Sequence, residues 1–283
     1  MRLLLKLIFI VLPVAAVVGL LRMCEGGAGD RWVDRVYAID PNAVLAIDRD
    51  DLIVVAPSRG RGIDVGEYAL SFRRALATEY GELLGTDVDR AMVVVVFSHV
   101  EMVAAYGGKG EREGTGLTAH AAGYTDPRRN AIFLPPEVGR SVVRHELVHL
   151  LMSLETVGRV QISPWLSEGL ATYLESFNPP EPVTTTGQQK ALLRLVLRNR
   201  GVDVMRLLEL DVYRDFLEND AARNYLESRA LVAFLMEVEG RAKMQNLISL
   251  ERNSQASAMR RFVEVYGEPG RVADALRAWL GAR

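Results

Sequence analysis

A chain of 283 residues, 49% of them apolar and 25% charged, can fold as one sizeable domain or two small ones around a buried core. Its 34 basic and 36 acidic residues nearly cancel, and the lack of a basic excess or stripe speaks against a nucleic-acid partner. The single cysteine, Cys24, excludes an internal disulfide framework and a thiolate zinc site, so any metal must be held by histidine and carboxylate.

The first element is not part of the fold. Arg2 and Lys6 precede an apolar run, Leu7 to Leu21, as the basic and apolar regions of an export signal do. Its fifteen residues fall short of the roughly 20 that span a bilayer, although Leu3, Leu4 and Leu5 can extend it. Arg22 and Glu25 stand where a cleavable signal is uncharged, which favours an anchor over cleavage at Gly26-Gly27-Ala28. Residues 1–28 are set apart as this signal or anchor segment. The body is expected outside the cytoplasm, tethered to the membrane, with release after cleavage as the alternative.

Leu52–Ala56 is a short β-branched run ended by Pro57 and reads as a strand. Val65 to Leu84 carries Tyr68, Phe72, Leu76, Tyr80 and Leu83 at helical spacing and stops at Gly85. Met92 to Phe97, nearly all valine, fits a strand buried on both faces. Ser98 is placed to cap a short helix reaching Tyr106. Gly107 to Gly116 is glycine-rich but lacks the Gly-Lys-Ser/Thr ending of a phosphate-binding loop, and reads as a surface loop. Ala121 to Thr125 and Ala131 to Leu134 flank the turn-forming residues Asp126 to Asn130, as in a β-hairpin. Pro135-Pro136-Glu137 opens a helix running to about Leu154. Another, with Ser163 as N-cap and Pro164 in its first turn, ends at Asn178-Pro179-Pro180. After the polar stretch Glu181 to Gln188 the rest reads as helical, near Gln189–Arg200, Ala221–Glu239, Met244–Leu250, Ser257–Tyr266 and Arg271–Leu280.

Within the helix before Leu154 stands His145-Glu146-Leu147-Val148-His149. Four residues advance a helix by about 400°, so the two imidazoles lie ~40° apart and ~6 Å along the axis. That separation suits two ligands on one tetrahedral cation. Glu146 projects from the same side, ~60° from His149, where it meets a water and not the metal. Val142, Val143, Leu150, Leu151 and Met152 make the helix apolar nearly all round, so its polar groups need compensation that a metal supplies. Two of only four histidines fall in this pattern; His99 and His120 are expected to satisfy local hydrogen bonds. Glu168, eighteen residues beyond His149, is the expected third ligand, and a His₂Glu set leaves the fourth position open for catalysis.

His145-Glu146-x-x-His149 followed by Trp165-Leu166-Ser167-Glu168-Gly169-Leu170-Ala171-Thr172-Tyr173 resembles the gluzincin pattern. It is close to the W-x-x-E-G-x-A segment of zinc aminopeptidases, and closer overall to the peptidase MA-like domain proteins of bacteria. The likeness continues through Tyr225 to Leu235 and Phe262 to Leu280, covering most of the chain after about Asp50. It implies one Zn²⁺ per chain and a peptide or protein substrate. It also implies an oxyanion donor from the C-terminal helices, for which Tyr225 is the matching residue, and an edge strand at Ile132 to Leu134 that aligns substrate. The G-x-M-E-N segment that binds a free amine in aminopeptidases is missing. Thr172 stands where thermolysin-like enzymes carry an aspartate bonded to a zinc-ligating histidine. Glu175, on the same helix face as Glu168, is expected to be a solvated carboxylate or a partner behind the ligands, and Tyr173 to be core.

The expectation is an α+β fold: a gluzincin-type catalytic domain over residues 31–180, with a small mixed sheet and the zinc-binding helices. A helical C-terminal subdomain, residues 181–283, completes the cleft. The expected function is zinc-dependent peptide hydrolysis. An idle metal-binding scaffold of the cell envelope, or an amidase acting on a non-peptide substrate, are the alternatives.

Overall fold

The computed structural model describes residues 31–85, 90–108, 123–154, 162–197 and 201–281. The expected export segment, Cys24, His120 and most of the glycine-rich loop lie outside the described residues. Among the described residues, no helix is long and apolar enough to cross a membrane.

The fold is mixed α+β. Five strands, β1 (Val44–Asp48), β2 (Leu52–Ala56), β3 (Met92–Val96), β4 (Tyr124–Asp126) and β5 (Ala131–Leu134), form one sheet in the order β1-β2-β3-β5-β4. β2, β3 and β5 run parallel in the middle; β1 and β4 pair antiparallel on the two flanks. A central parallel strand is covered on both faces and needs apolar residues at every position. The valine run of β3 meets that demand, for all five residues are buried. Val93, Val95, Ala131 and Phe133 face a cluster with Val36 of α1 (Arg31–Ile39) and Val103 and Tyr106 of α3 (Val100–Gly108). Met92, Val94, Val96, Ile132 and Leu134 face the main core, against α2 (Arg59–Leu84) and α4 (Arg140–Leu154).

That main core continues through α5 (Pro164–Leu174), α6 (Gly187–Val196), α7 (Val204–Glu209), α8 (Tyr213–Glu218), α9 (Ala221–Phe234), α10 (Arg241–Asn253), α11 (Ala258–Tyr266) and α12 (Pro269–Leu280). Residues on both sides of position 180 therefore share one apolar interior. A π-helical turn, Leu235–Glu239, ends α9.

Several boundaries differ from expectation. α2 begins at Arg59, six residues before Val65. A Cβ on Gly62 would lie 2.5 Å from the Ala46 Cβ, and one on Gly66 2.4 Å from Val54 Cγ2. The helix therefore presses onto the sheet through glycines, whose low helix propensity concealed its first turns. α4 begins at Arg140 and not at Pro135, because a residue before proline is disfavoured in helical conformation and 136–137 form a turn. Ser163 precedes α5 as expected, yet its side chain makes no cap hydrogen bond. Its hydroxyl donates to Glu251 at 2.8 Å instead, and accepts from Arg261 at 3.0 Å. Ser98 likewise donates to the buried Asp40, at 2.7 Å.

Candidate metal centre

α4 lies on the sheet with Val143, Leu147, Val148, Leu150 and Leu151 buried, so His145, Glu146 and His149, which are buried or half-buried among them, sit in a largely apolar setting. α5 packs beside it, as completely apolar except at Ser167, Glu168 and Thr172. Their contact brings three ligand atoms together. His145 Nε2 stands 3.1 Å from His149 Nε2 and 3.2 Å from Glu168 Oε2, and His149 Nε2 stands 3.3 Å from the same oxygen. The three residues form a group that can hold a metal ion. Ligands at 2.0–2.1 Å around a tetrahedral cation are separated by roughly 3.3–3.4 Å, so the observed triangle is close to the size such an ion needs.

The outer ring nitrogens are also engaged. His149 Nδ1 is hydrogen-bonded to Ser167 Oγ across 3.0 Å. His145 Nδ1 lies 3.6 Å from Glu175 Oε2, in ion-pair range, and Glu175 Oε1 lies 3.4 Å from Arg229 Nη1. With protons on both Nδ1 atoms, the two Nε2 atoms turn lone pairs toward each other and toward a carboxylate oxygen. Three acceptors facing one point repel unless a cation or an extra proton sits among them. The electrostatics agree. Burial opposes a charged His145, but the Glu168 and Glu175 carboxylates outweigh it and push its imidazole up to about 10. Burial likewise opposes ionisation of Glu168, yet the charges and hydrogen bonds of His149 and His145 hold it well below the usual carboxylate range. The cluster is built around positive charge.

Glu175 thus lies behind His145, the place that the family resemblance gives to residue 172. Thr172 donates to the Glu168 carbonyl at 2.7 Å and does not touch the histidines. Hydroxyls in a helix bond back to the preceding turn, whereas Glu175, two turns after Glu168, faces the same way and reaches further.

Glu146 is 7% exposed and lies beside the triangle on α4. Its Oε2 accepts from the Thr125 hydroxyl at 2.7 Å. Gly123 lies against the same carboxylate: a Cβ there would fall 2.6 Å from Oε1. Tyr225, on α9, faces Glu168 and Glu146; burial first, and then these two carboxylates, push its phenol up and keep the proton on it. Its ring packs edge-on against Phe216, 5.4 Å between centroids. α9 comes this near because Gly169 has no side chain: a Cβ would meet the Ser228 carbonyl oxygen at 2.8 Å and Val232 Cγ2 at 2.6 Å. Tyr213, at the start of α8, adds a second phenol that interacts with Ser167 and Glu168, raised chiefly by burial and then by the Glu168 charge.

All five expected site residues, His145, Glu146, His149, Glu168 and Tyr225, are brought together. The expected substrate strand is not where it was placed. Ile132 to Leu134 belongs to β5, hydrogen-bonded on one side to β3 and on the other to β4. The hairpin folds back over it, and among the described residues β4 is the flank strand nearest Glu146. Tyr173 is core, its hydroxyl donating to the Val183 carbonyl at 2.9 Å. His99 is exposed. Reading the sequence missed the contacts of Thr125, Gly123, Ser167 and Tyr213: Thr125, Gly123 and Tyr213 stand at no recognisable interval from the candidate ligands, and Ser167, although next to Glu168, carries no mark of its bond to His149. Compared with known proteins, the chain matches no family model and no curated protein.

Proposed function

We propose that this protein is a zinc-dependent hydrolase of gluzincin type that cleaves peptide bonds outside the cytoplasm. The observation that carries this reading is the triangle of His145 Nε2, His149 Nε2 and Glu168 Oε2, with edges of 3.1, 3.2 and 3.3 Å. Two imidazoles and one carboxylate are the donor set of catalytic zinc sites, where a fourth position stays open.

Zinc bound there would lower the pKa of a coordinated water from 15.7 to about 7 and polarise a substrate carbonyl. The chain's own residues then divide the work. Glu146, seated between Thr125 and Gly123, takes a proton from the attacking water and returns it to the leaving amine. Tyr225 keeps its phenolic proton and so remains a donor for the oxyanion that develops on the carbonyl. Ser167 and Glu175 fix the imidazole orientations from behind. The short strand β4 offers its outer edge to an extended peptide.

The test is to quantify metal in purified protein and to compare hydrolysis of a peptide library by wild type and Glu146→Gln. The expected result is one zinc per chain in both, with turnover lowered about 10²–10⁴-fold in the variant. Bound zinc with no Glu146-dependent turnover would move the reading to a metal-holding scaffold.

A further inference from the structure

We infer that Thr125 is the positioning residue of Glu146, holding the carboxylate in one orientation from the flank strand of the sheet. This rests on the hydrolase reading and extends it to a residue outside the metal helices. A glutamate side chain has three rotatable bonds, and a base that wanders among their wells is seldom in place to take a proton. Here Oε2 is held by the Thr125 hydroxyl at 2.7 Å, and the same hydroxyl lies 3.4 Å from the Glu146 carbonyl.

The strand's alternation explains the pair of residues involved. Side chains two apart on a strand share a face, so positions 123 and 125 both address α4 while Tyr124 turns to the opposite cluster. At 125 a hydroxyl donor contacts the carboxylate. At 123 any side chain would strike it, since a Cβ falls 2.6–2.8 Å from Oε1, Cγ and Cδ. One position grips and its neighbour makes room. Oε2 is committed to the strand, and Oε1 is left uncommitted among the described residues. The strand whose edge would receive a peptide therefore also sets the angle of the base.

The test uses the full chain loaded with Co²⁺, whose absorption reports a ligand joining the site, and acetohydroxamate as the probe. A hydroxamate passes its hydroxyl proton to a nearby carboxylate as it binds, so its affinity reads the placement of the base without turnover. Glu146→Gln and Thr125→Val are each expected to weaken binding roughly 10-fold or more, the loss of one charge-assisted hydrogen bond. Thr125→Ser, which keeps the donor, is expected to bind as the wild type does, and Co²⁺ affinity should be the same in all four proteins. Should Thr125→Val fail to fold, Thr125→Ala replaces it in the comparison with Thr125→Ser. Unaltered acetohydroxamate binding by the donor-less variant, beside weakened binding by Glu146→Gln, overturns the positioning role and leaves the hydrolase reading intact. A wild-type chain that takes up Co²⁺ but ignores the probe, or a Glu146→Gln variant equal to it, overturns both.

Discussion

Two buried carboxylates, one against the residue that precedes α5 and one on α5 itself, are neutralised in opposite ways. Glu251, on α10, is wholly buried and both its oxygens are answered from within the chain. Arg261 brings Nε to 2.9 Å of Oε1 and Nη2 to 2.9 Å of Oε2, while the Ser163 amide donates at 2.9 Å. One anion faces one cation, and the cluster is closed. Glu168, a turn further along α5, is 5% exposed, and its Oε2 faces the Nε2 atoms of two imidazoles whose Nδ1 atoms lie against Glu175 and Ser167. With both Nδ1 atoms protonated, acceptor faces acceptor, and the set is closed only by an added proton or cation. Burial of charge is common to both places; the balance of donors and acceptors separates a structural clamp from a candidate binding centre.

The sharpest way to break this contrast is to remove each anion's setting in turn. Glu168→Ala is expected to lower zinc affinity more than about 100-fold, beyond the loss of an outer partner, as chelator competition would show. The metal-free variant should still unfold cooperatively. Arg261→Ala is expected to do the reverse. It leaves Glu251 charged and unpaired in the interior, at a cost of about 3–5 kcal/mol in unfolding free energy measured by denaturant titration. Zinc affinity of its folded fraction should be unchanged; a loss like that of Glu168→Ala would erase the distinction.

A third test concerns pH. In metal-free protein His145 is held up to about 10, above its ordinary 6.5. A group whose folded pKa is raised stabilises fully below its unfolded value and loses that contribution as pH rises through the folded one. The Tm of metal-free protein should therefore fall as pH is taken from neutral toward about 10. Zinc-loaded protein, in which the metal has displaced that proton, should not share the decline, and an identical curve for both forms would count against the ligand role of His145.

Much of the candidate metal centre was legible because its logic is local. The spacing of His145 and His149 is a property of one helix, and Glu168 opens the next recognisable one. The valine run of β3 declared its burial on two faces for a similar reason. What escaped depended on pairing between distant segments. Whether β5 is flank or interior is decided by the hairpin partner that folds over it, and Ile132 to Leu134 carry no mark of that choice. Thr125 became relevant only when that hairpin brought β4 to α4. Ser163 looked like a helix cap because its neighbours were Pro164 and an apolar run; the residue that claims its hydroxyl is Glu251, 88 positions away. α8, which delivers Tyr213, is six residues long, too short for a period to show. Glu175 had a usable signal in its two-turn interval from Glu168, but a carboxylate at a helix end is ordinarily solvated, and Arg229 that holds it comes from α9.

The crossing of α5 over α9 has a consequence of its own. At Gly169 the helix meets the Ser228 carbonyl, so part of the spacer between the two elements is polypeptide backbone and not rotamer. Backbone dimensions are set by covalent geometry and do not drift with substitutions in the surrounding interior. The offset between Glu168, one position before that contact, and Tyr225, three positions before Ser228, thus behaves as a fixed gauge. Exchanges elsewhere can stiffen or soften the fold around it, but the gauge keeps its setting for as long as position 169 carries no β-carbon.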